Sequence, residues 1–252
     1  MESLIIVGAG IAAGLINAVA GAGTIVTFPV LVALGYPPVV ANVSNTVGLI
    51  PASITGALGY RHEVVGHWRS VGYMAVMSLI GGAIGAALLI FLPAEAFSFV
   101  IPYLLILAAV LAAAQPAVAR FVRRHAGDSP MQTTLPVTAG LMVGVFGTGI
   151  YGGYFGAAQG VILLALLGIL WSTNLNRANG AKNVLAGMAN VISAVVFLFS
   201  GLIDWYVVLL VGIGAAIGGW IGSKIGRRLP ATVLRAILVI IALTAAVIFI
   251  IN

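Results

Sequence analysis

Charged residues are absent from long stretches of this sequence. None occurs between Ser3 and Tyr60, and only 6% of the 252 residues are charged, whereas 62% are hydrophobic. In soluble domains about 25% of residues are charged, and a helix that crosses a bilayer needs about 20 apolar residues in succession. A membrane barrel would instead show short segments of alternating hydrophobicity. The sequence therefore predicts an all-α integral membrane protein, a polytopic helical bundle.

The two halves of the sequence match at an offset of 178 − 41 = 137 residues, without a gap. The offset pairs residues of distinctive type: Trp68 with Trp205, Asn42 with Asn179, and Gly81-Gly82-x-x-Gly85 with Gly218-Gly219-x-x-Gly222. Matches between Ala-rich helices are common, but shared Trp, Asn and glycine positions in one register indicate a duplication. We expect a first transmembrane repeat at 1–115, a cytoplasmic linker at 116–132 and a second, inverted repeat at 133–252.

Each half reads as five segments, which in the first half are 4–20, 24–34, 40–60, 68–92 and 96–115. The second segment is too short to cross a bilayer, and Pro29 lies within it. Gly21 and Gly23 separate it from the first segment, and glycine releases a helix and lets backbones approach closely. We predict broken or re-entrant short helices here, which membrane proteins tolerate where protein or a cavity surrounds them.

Lys and Arg cluster in the short connections, as they do in cytoplasmic loops. The clusters lie at 61–69, 120–128 and 224–228, whereas the connections at Glu95 and Asp204 carry no cation. The equivalent connections at 66–68 and 203–205 then face opposite sides, so we expect the repeats to be inverted and both termini to face outward. These loops account for the net charge of +6, which therefore does not indicate nucleic acid.

The sequence offers little for catalysis or for a cofactor. It contains no cysteine, and its five acidic residues and three histidines lie near predicted loops or termini. No HExxH motif or carboxylate pair falls at membrane depth. The glycines of IIVGAGIAAG imitate a dinucleotide-binding motif but lack the acidic residue that should follow. We expect no enzyme activity, no metal and no cofactor.

Two polar islands interrupt the apolar sequence where the third segment of each half begins. Asn, Ser and Thr suit helix N-caps, which explains one or two of these residues. A whole polar turn instead indicates a binding site, because helix N-termini present free N–H groups to anions and Lys182 adds a charge that is costly to bury unused. The candidate substrate-binding residues are Asn42, Ser44, Asn45, Thr46, Asn179, Lys182 and Asn183, followed by Arg177, Asn17, Thr24 and Asn190. Arg177 belongs either to this site or to a cytoplasmic loop.

Four stretches resemble the TauE/SafE sulfite exporter family: the glycine-interrupted hairpin at 20–29, the turn LGYPP at 34–38, the helix end at 56–60 and the run GIYGGYFGA at 149–157. The resemblance covers nearly the whole chain. It implies a secondary transporter for sulfite, sulfonates or related organosulfur anions in the cytoplasmic (inner) membrane of a bacterium or archaeon. Relatives often have three successive glycines where this chain has Gly21-Ala22-Gly23, a difference that bears on the substrate more than on the fold.

The expected mechanism is alternating access, with the substrate held between two inverted repeats. A passive anion channel and a membrane subunit without transport of its own stay open as alternatives. Coupling is open as well: a proton would use His62, His67 or the substrate, whereas sodium would use backbone and Asn oxygens. The sequence leaves open which anion is carried, the direction of transport and the oligomeric state.

Overall fold

The computed structural model describes residues 1–125, 134–172, 174–225 and 231–251, and within these ranges it is helical apart from short connections and an isolated bridge between Thr134 and Ser172. The helices are α1 (Glu2–Ala20), α2 (Thr24–Ala33), α3 (Pro38–Gly48), α4 (Ile50–Gly59), α5 (Arg61–Val64), α6 (Trp68–Phe91), α7 (Ala94–His125), α8 (Ala139–Tyr154), α9 (Gln159–Leu170), α10 (Leu175–Leu198), α11 (Trp205–Ile225) and α12 (Ala231–Ile251). In the described ranges five helices, α1, α6, α7, α10 and α11, are long and apolar enough to cross a membrane. The predicted all-α, multi-pass membrane architecture is confirmed.

Both halves begin with a long helix that breaks and is followed by a short one. Gly21 ends α1 in the left-handed conformation with φ 70°, and Ala158, at the equivalent position, precedes α9 with φ 60°. The two breaks touch each other: the Gly160 N–H donates to the Gly21 carbonyl at 3.0 Å. A Cβ on either glycine would lie only 2.4 Å from the Cα of the other, so this backbone crossing requires glycine on both sides.

The third segment of the first half, predicted at 40–60, consists of two short helices in succession. Helix α3 ends at Gly48 and α4 begins at Ile50. Pro51 explains the break, because proline lacks an N–H and its ring clashes with the carbonyl four residues earlier. The equivalent position in the second half is Met188, and α10 is continuous there.

The first long helix of each half packs against a long helix of the other half. Helix α1 packs along α11, and its equivalent α8 packs along α6, the equivalent of α11. Small residues make these contacts close: a Cβ on Gly14 would strike the backbone of Ala215, and one on Gly85 would strike that of Ile150. Helix α7 lies beside α12 and continues to His125, through the first residues of the predicted linker.

Polar contacts mark the two ends of the bundle. At one end Tyr36 donates to the Glu2 carboxylate at 2.7 Å, a hydrogen bond that raises the pKa of Tyr36 to about 12, and Ser3 lies 2.7 Å from the Tyr206 hydroxyl. At the other end the Lys224 ammonium lies 3.9 Å from the centre of the Trp220 ring. Of the clusters predicted at 120–128 and 224–228, the parts at 126–128 and 226–228 lie outside the described residues.

Candidate functional site

The Lys182 side chain is completely buried, in the second turn of α10. Its ammonium donates to the carbonyl oxygens of Asn17 and Ala18, each at 3.4 Å. Because α1 ends at Ala20, the ammonium lies at the negative end of the α1 dipole, where a cation is favoured. In the described part of the chain no carboxylate pairs with it, so two long hydrogen bonds are its polar contacts there.

Asn179 and Asn42 make equivalent contacts in the two halves. The Asn179 amide donates to the Ala18 carbonyl at 3.5 Å, in the last turn of α1. The Asn42 amide donates to the carbonyl of Tyr154, the last residue of α8, at 2.9 Å. Both side chains are buried, and the Oδ1 atom of each has no hydrogen-bond partner among the described residues. Buried amides with unused bonding capacity need an explanation, and a bound ligand or water supplies one.

Asn45 joins α3 to the beginning of α2. Its amide donates to the Thr24 hydroxyl at 3.2 Å, and its Oδ1 accepts a hydrogen bond from the Thr27 hydroxyl. Thr24 is the first residue of α2, where backbone N–H groups lack intrahelical acceptors. The positive end of a helix dipole therefore lies beside Asn45, inside the bundle.

Ser44 and Thr46, two of the predicted site residues, make contacts that stabilise the helices around them. The Ser44 hydroxyl accepts from the Asp204 N–H at 2.9 Å and so fixes the start of α11. The Thr46 hydroxyl donates to the carbonyl of Asn42, one turn earlier in its own helix, at 2.9 Å. Neither contact joins these side chains to Lys182.

Asn17 of α1 and Asn183 of α10 both face α4. The Asn17 amide donates to the Ser53 hydroxyl at 3.4 Å. Asn183 packs against Gly56 and, with Ser53, lines a cavity of about 270 Å³ between α4 and α10. The Asn183 Nδ2 has no partner among the described residues. Asn190 is partly buried and lies two turns further along α10.

The beginning of α10 is capped and does not present its first N–H groups freely, contrary to the expectation for this polar island. Asn174 accepts from the backbone N–H groups of Asn176 and Arg177 at 2.9 and 3.1 Å. The half-buried Arg177 side chain donates to the Glu63 carbonyl at 3.3 Å and so ties α10 to α5. The helix starts that lie at the centre of the bundle belong to α2 and α9 instead.

Three buried polar residues near these contacts were not predicted: Thr27, Ser53 and Gln159. The offset of 137 pairs Ser53 with Asn190, a predicted site residue. Comparing the two halves could therefore have indicated Ser53. Gln159 donates to the Thr148 carbonyl at 3.3 Å, a contact between α9 and α8 that no short motif indicates. In the described ranges no group of three or more His, Asp or Glu side chains is placed to hold a metal ion.

Comparison with known proteins places the chain among membrane proteins. The family model described as Sulfite exporter TauE/SafE matches residues 6–249. "Probable membrane transporter protein ORF9" of Sinorhizobium sp is 30% identical over 93% of this chain and 87% of that protein. A "Probable membrane transporter protein" of Haemophilus influenzae is 26% identical over 92% and 88%, and YfcA of Escherichia coli K12 is 23% identical over 91% and 82%. No solved structure matches the chain significantly.

Proposed function

We propose, from the premise that this chain belongs to the Sulfite exporter TauE/SafE family, that it moves sulfite or organosulfur (sulfonate-type) anions across the cytoplasmic membrane. Family and relatives identify a multi-pass membrane transporter, and the family's name indicates an anionic substrate. The finer assignment to sulfite and sulfonates, and to the inner membrane of a bacterium or archaeon, is our proposal.

The observation that carries the proposal is the buried Lys182 ammonium without a described counter-charge. A charge inside a membrane protein is costly and is normally paired or used. Two carbonyl contacts at 3.4 Å leave its charge uncompensated, and an anionic substrate would compensate it. Asn179 contacts the same carbonyl of Ala18 as Lys182 does, so both side chains are placed to act on one ligand.

The anion would be held between Lys182 and the start of α2. The backbone N–H groups at Gly23 and Thr24 open α2 and point out of its first turn, and helix N-termini bind anions readily. Asn42 and Asn45 approach from α3, and Asn179 approaches from α10. In our proposal Thr46, Asn183, Asn190, Ser44 and Arg177 support the site and do not contact the anion.

Alternating access would follow from movement of one repeat against the other. The packing supports opposite orientations of the repeats, because α11 starts beside Ser3 and ends beside Gly59, which is followed in the chain by α5 and then by α6, the equivalent of α11. The crossing of Gly21 and Gly160 would be the point about which the halves move. None of the buried residues in the described ranges is acidic, so in our proposal a coupling proton is carried by His62, His67 or the substrate, and a coupling sodium ion is held by backbone and Asn oxygens.

The direct test is flux of labelled sulfite into liposomes that contain the purified protein. Taurine, sulfoacetate, thiosulfate and sulfate are offered as competitors, with and without an imposed pH gradient. We expect saturable uptake that unlabelled sulfite on the opposite side accelerates, which is the signature of a carrier. Uptake that rises linearly with concentration and shows no such acceleration would indicate the channel alternative instead. Folded protein with no flux for any of these anions would contradict the proposal.

A further inference from the structure

A second candidate site lies at the end of the bundle where α4, α5 and α11 meet. A cavity of about 510 Å³ opens there, and its described lining is Thr55, Leu58, Gly59, Arg61, His62, Trp220, Ser223 and Lys224. Two of these residues, Arg61 and Lys224, are cations, and no described lining residue is acidic. The cavity therefore presents positive charge that the described lining does not neutralise.

The walls of the cavity differ in character. Leu58 and Trp220 are 56% and 55% exposed, so they form an apolar wall on the outer surface of the bundle, where lipid chains lie. Arg61 donates to His62 Nε2 at 3.3 Å, and the Lys224 ammonium lies over the Trp220 ring. Cationic groups beside an exposed apolar wall and an interfacial Trp match a lipid whose phosphate lies next to its chains.

The pseudo-equivalent place in the other half lacks every one of these polar features. The offset of 137 puts Leu198 and Phe199 opposite Arg61 and His62, and Ala86 and Ala87 opposite Ser223 and Lys224. The duplication therefore carries the cationic cavity at one end of the bundle only. Since the helix packing around it is repeated in both halves, the packing alone does not require these cations.

We propose that this cavity binds the phosphate group of an anionic phospholipid, with Arg61 and Lys224 as the phosphate ligands and with Leu58 and Trp220 against the acyl chains. The site takes lipid from one leaflet only, the one at the α4–α5 end. It is separate from Lys182 and does not depend on which anion the protein transports.

The test compares lipid retention by purified full-length protein taken from nanodiscs of phosphatidylcholine mixed with phosphatidylglycerol. Native mass spectrometry counts the lipids that stay bound, and titration of phosphatidylglycerol gives the apparent affinity. We expect selective retention of phosphatidylglycerol by the wild type. If each cation that contacts the bound phosphate contributes what one basic residue contributes at an anionic membrane surface, about fivefold in affinity, Arg61→Gln/Lys224→Gln should weaken retention about 30-fold, and either single substitution about fivefold.

The matched control is Arg69→Gln/Arg120→Gln, which removes the same charge from two exposed arginines that do not line the cavity. The control should retain phosphatidylglycerol like the wild type. Equal loss in the control, unchanged retention in Arg61→Gln/Lys224→Gln, or no preference over phosphatidylcholine in the wild type would overturn the proposal. Inorganic phosphate is the third arm: complete displacement of the lipid by equimolar phosphate would assign the cavity to free oxyanions and overturn the lipid assignment.

Discussion

Lys182 occupies the position in the second half that Asn45 occupies in the first. The Lys182 side chain lies at the C-terminal, negative end of one helix, whereas the Asn45 side chain lies at the N-terminal, positive end of another. Lys182 contacts the carbonyls at the end of α1, whereas Asn45 contacts Thr24 at the start of α2. A cation is stabilised at a helix C-terminus and destabilised at an N-terminus. Of these two positions, the one with the charged residue is therefore the one where the local helix dipole favours a cation.

This relationship predicts that the two residues are not interchangeable. Asn45→Lys should destabilise the protein by about 3 kcal/mol or more, because it buries a cation without a compensating partner. The exchange Asn45→Lys/Lys182→Asn should therefore fail to restore transport, even though the number of buried charges is unchanged. Thermal unfolding in detergent and sulfite flux measure the two effects. Restored flux in the double variant would show that position does not matter.

The Gly21–Gly160 crossing predicts a strict requirement for glycine. In Gly160→Ala the new methyl group would overlap the Gly21 backbone, and overpacking of this kind costs about 3 kcal/mol at the upper end of its usual range. We expect a clear fall in melting temperature and in the yield of monodisperse protein. Gly147→Ala is the control, since no atom lies within 4 Å of a Cβ built there. Equal stability of the two variants would contradict the close crossing.

The break between α3 and α4 predicts that a variant without Pro51 is more stable but transports more slowly. Pro51→Met copies the residue of the second half and lets the helix continue, which should stabilise it by up to about 3 kcal/mol, the usual cost of an internal proline. If the break permits the movement of α3, the maximal rate of sulfite flux should fall while the melting temperature rises. A variant that is both more stable and as fast as the wild type would show that the break has no part in transport.

The helical membrane architecture and the short second helix after Gly21 and Gly23 were predictable because both depend on composition and spacing. Apolar runs of sufficient length cross a membrane in any packing, and Gly21 breaks a helix locally. The offset of 137 also matches the helices found, since α1 and α8 begin at Glu2 and Ala139. Pro51 was visible in the sequence, but a proline near a polar segment does not by itself show whether a helix bends or ends.

The roles of individual polar residues were less predictable, because they depend on which helices meet. Ser44 and Asn45 are adjacent in sequence, yet Ser44 reaches the start of α11 and Asn45 reaches α2. Lys182 and Asn183 likewise diverge, since neighbouring residues of a helix point about 100° apart. The carbonyl partners of Lys182 lie in α1, in the other half of the chain, so they depend on how the two halves pack together.

The central claim is that the Lys182 charge binds the transported anion, and one comparison tests it most directly. Sulfite flux is measured in proteoliposomes with wild type, Lys182→Gln and Arg69→Gln, the last of which removes an exposed charge outside the site. Gln still donates a hydrogen bond toward the α1 carbonyls, so Lys182→Gln should fold with a melting temperature near that of the wild type. Loss of a charged hydrogen-bond partner costs at least about 2 kcal/mol of binding, so half-saturation should require about 30 times more sulfite. Wild-type flux and half-saturation in folded Lys182→Gln would contradict the account.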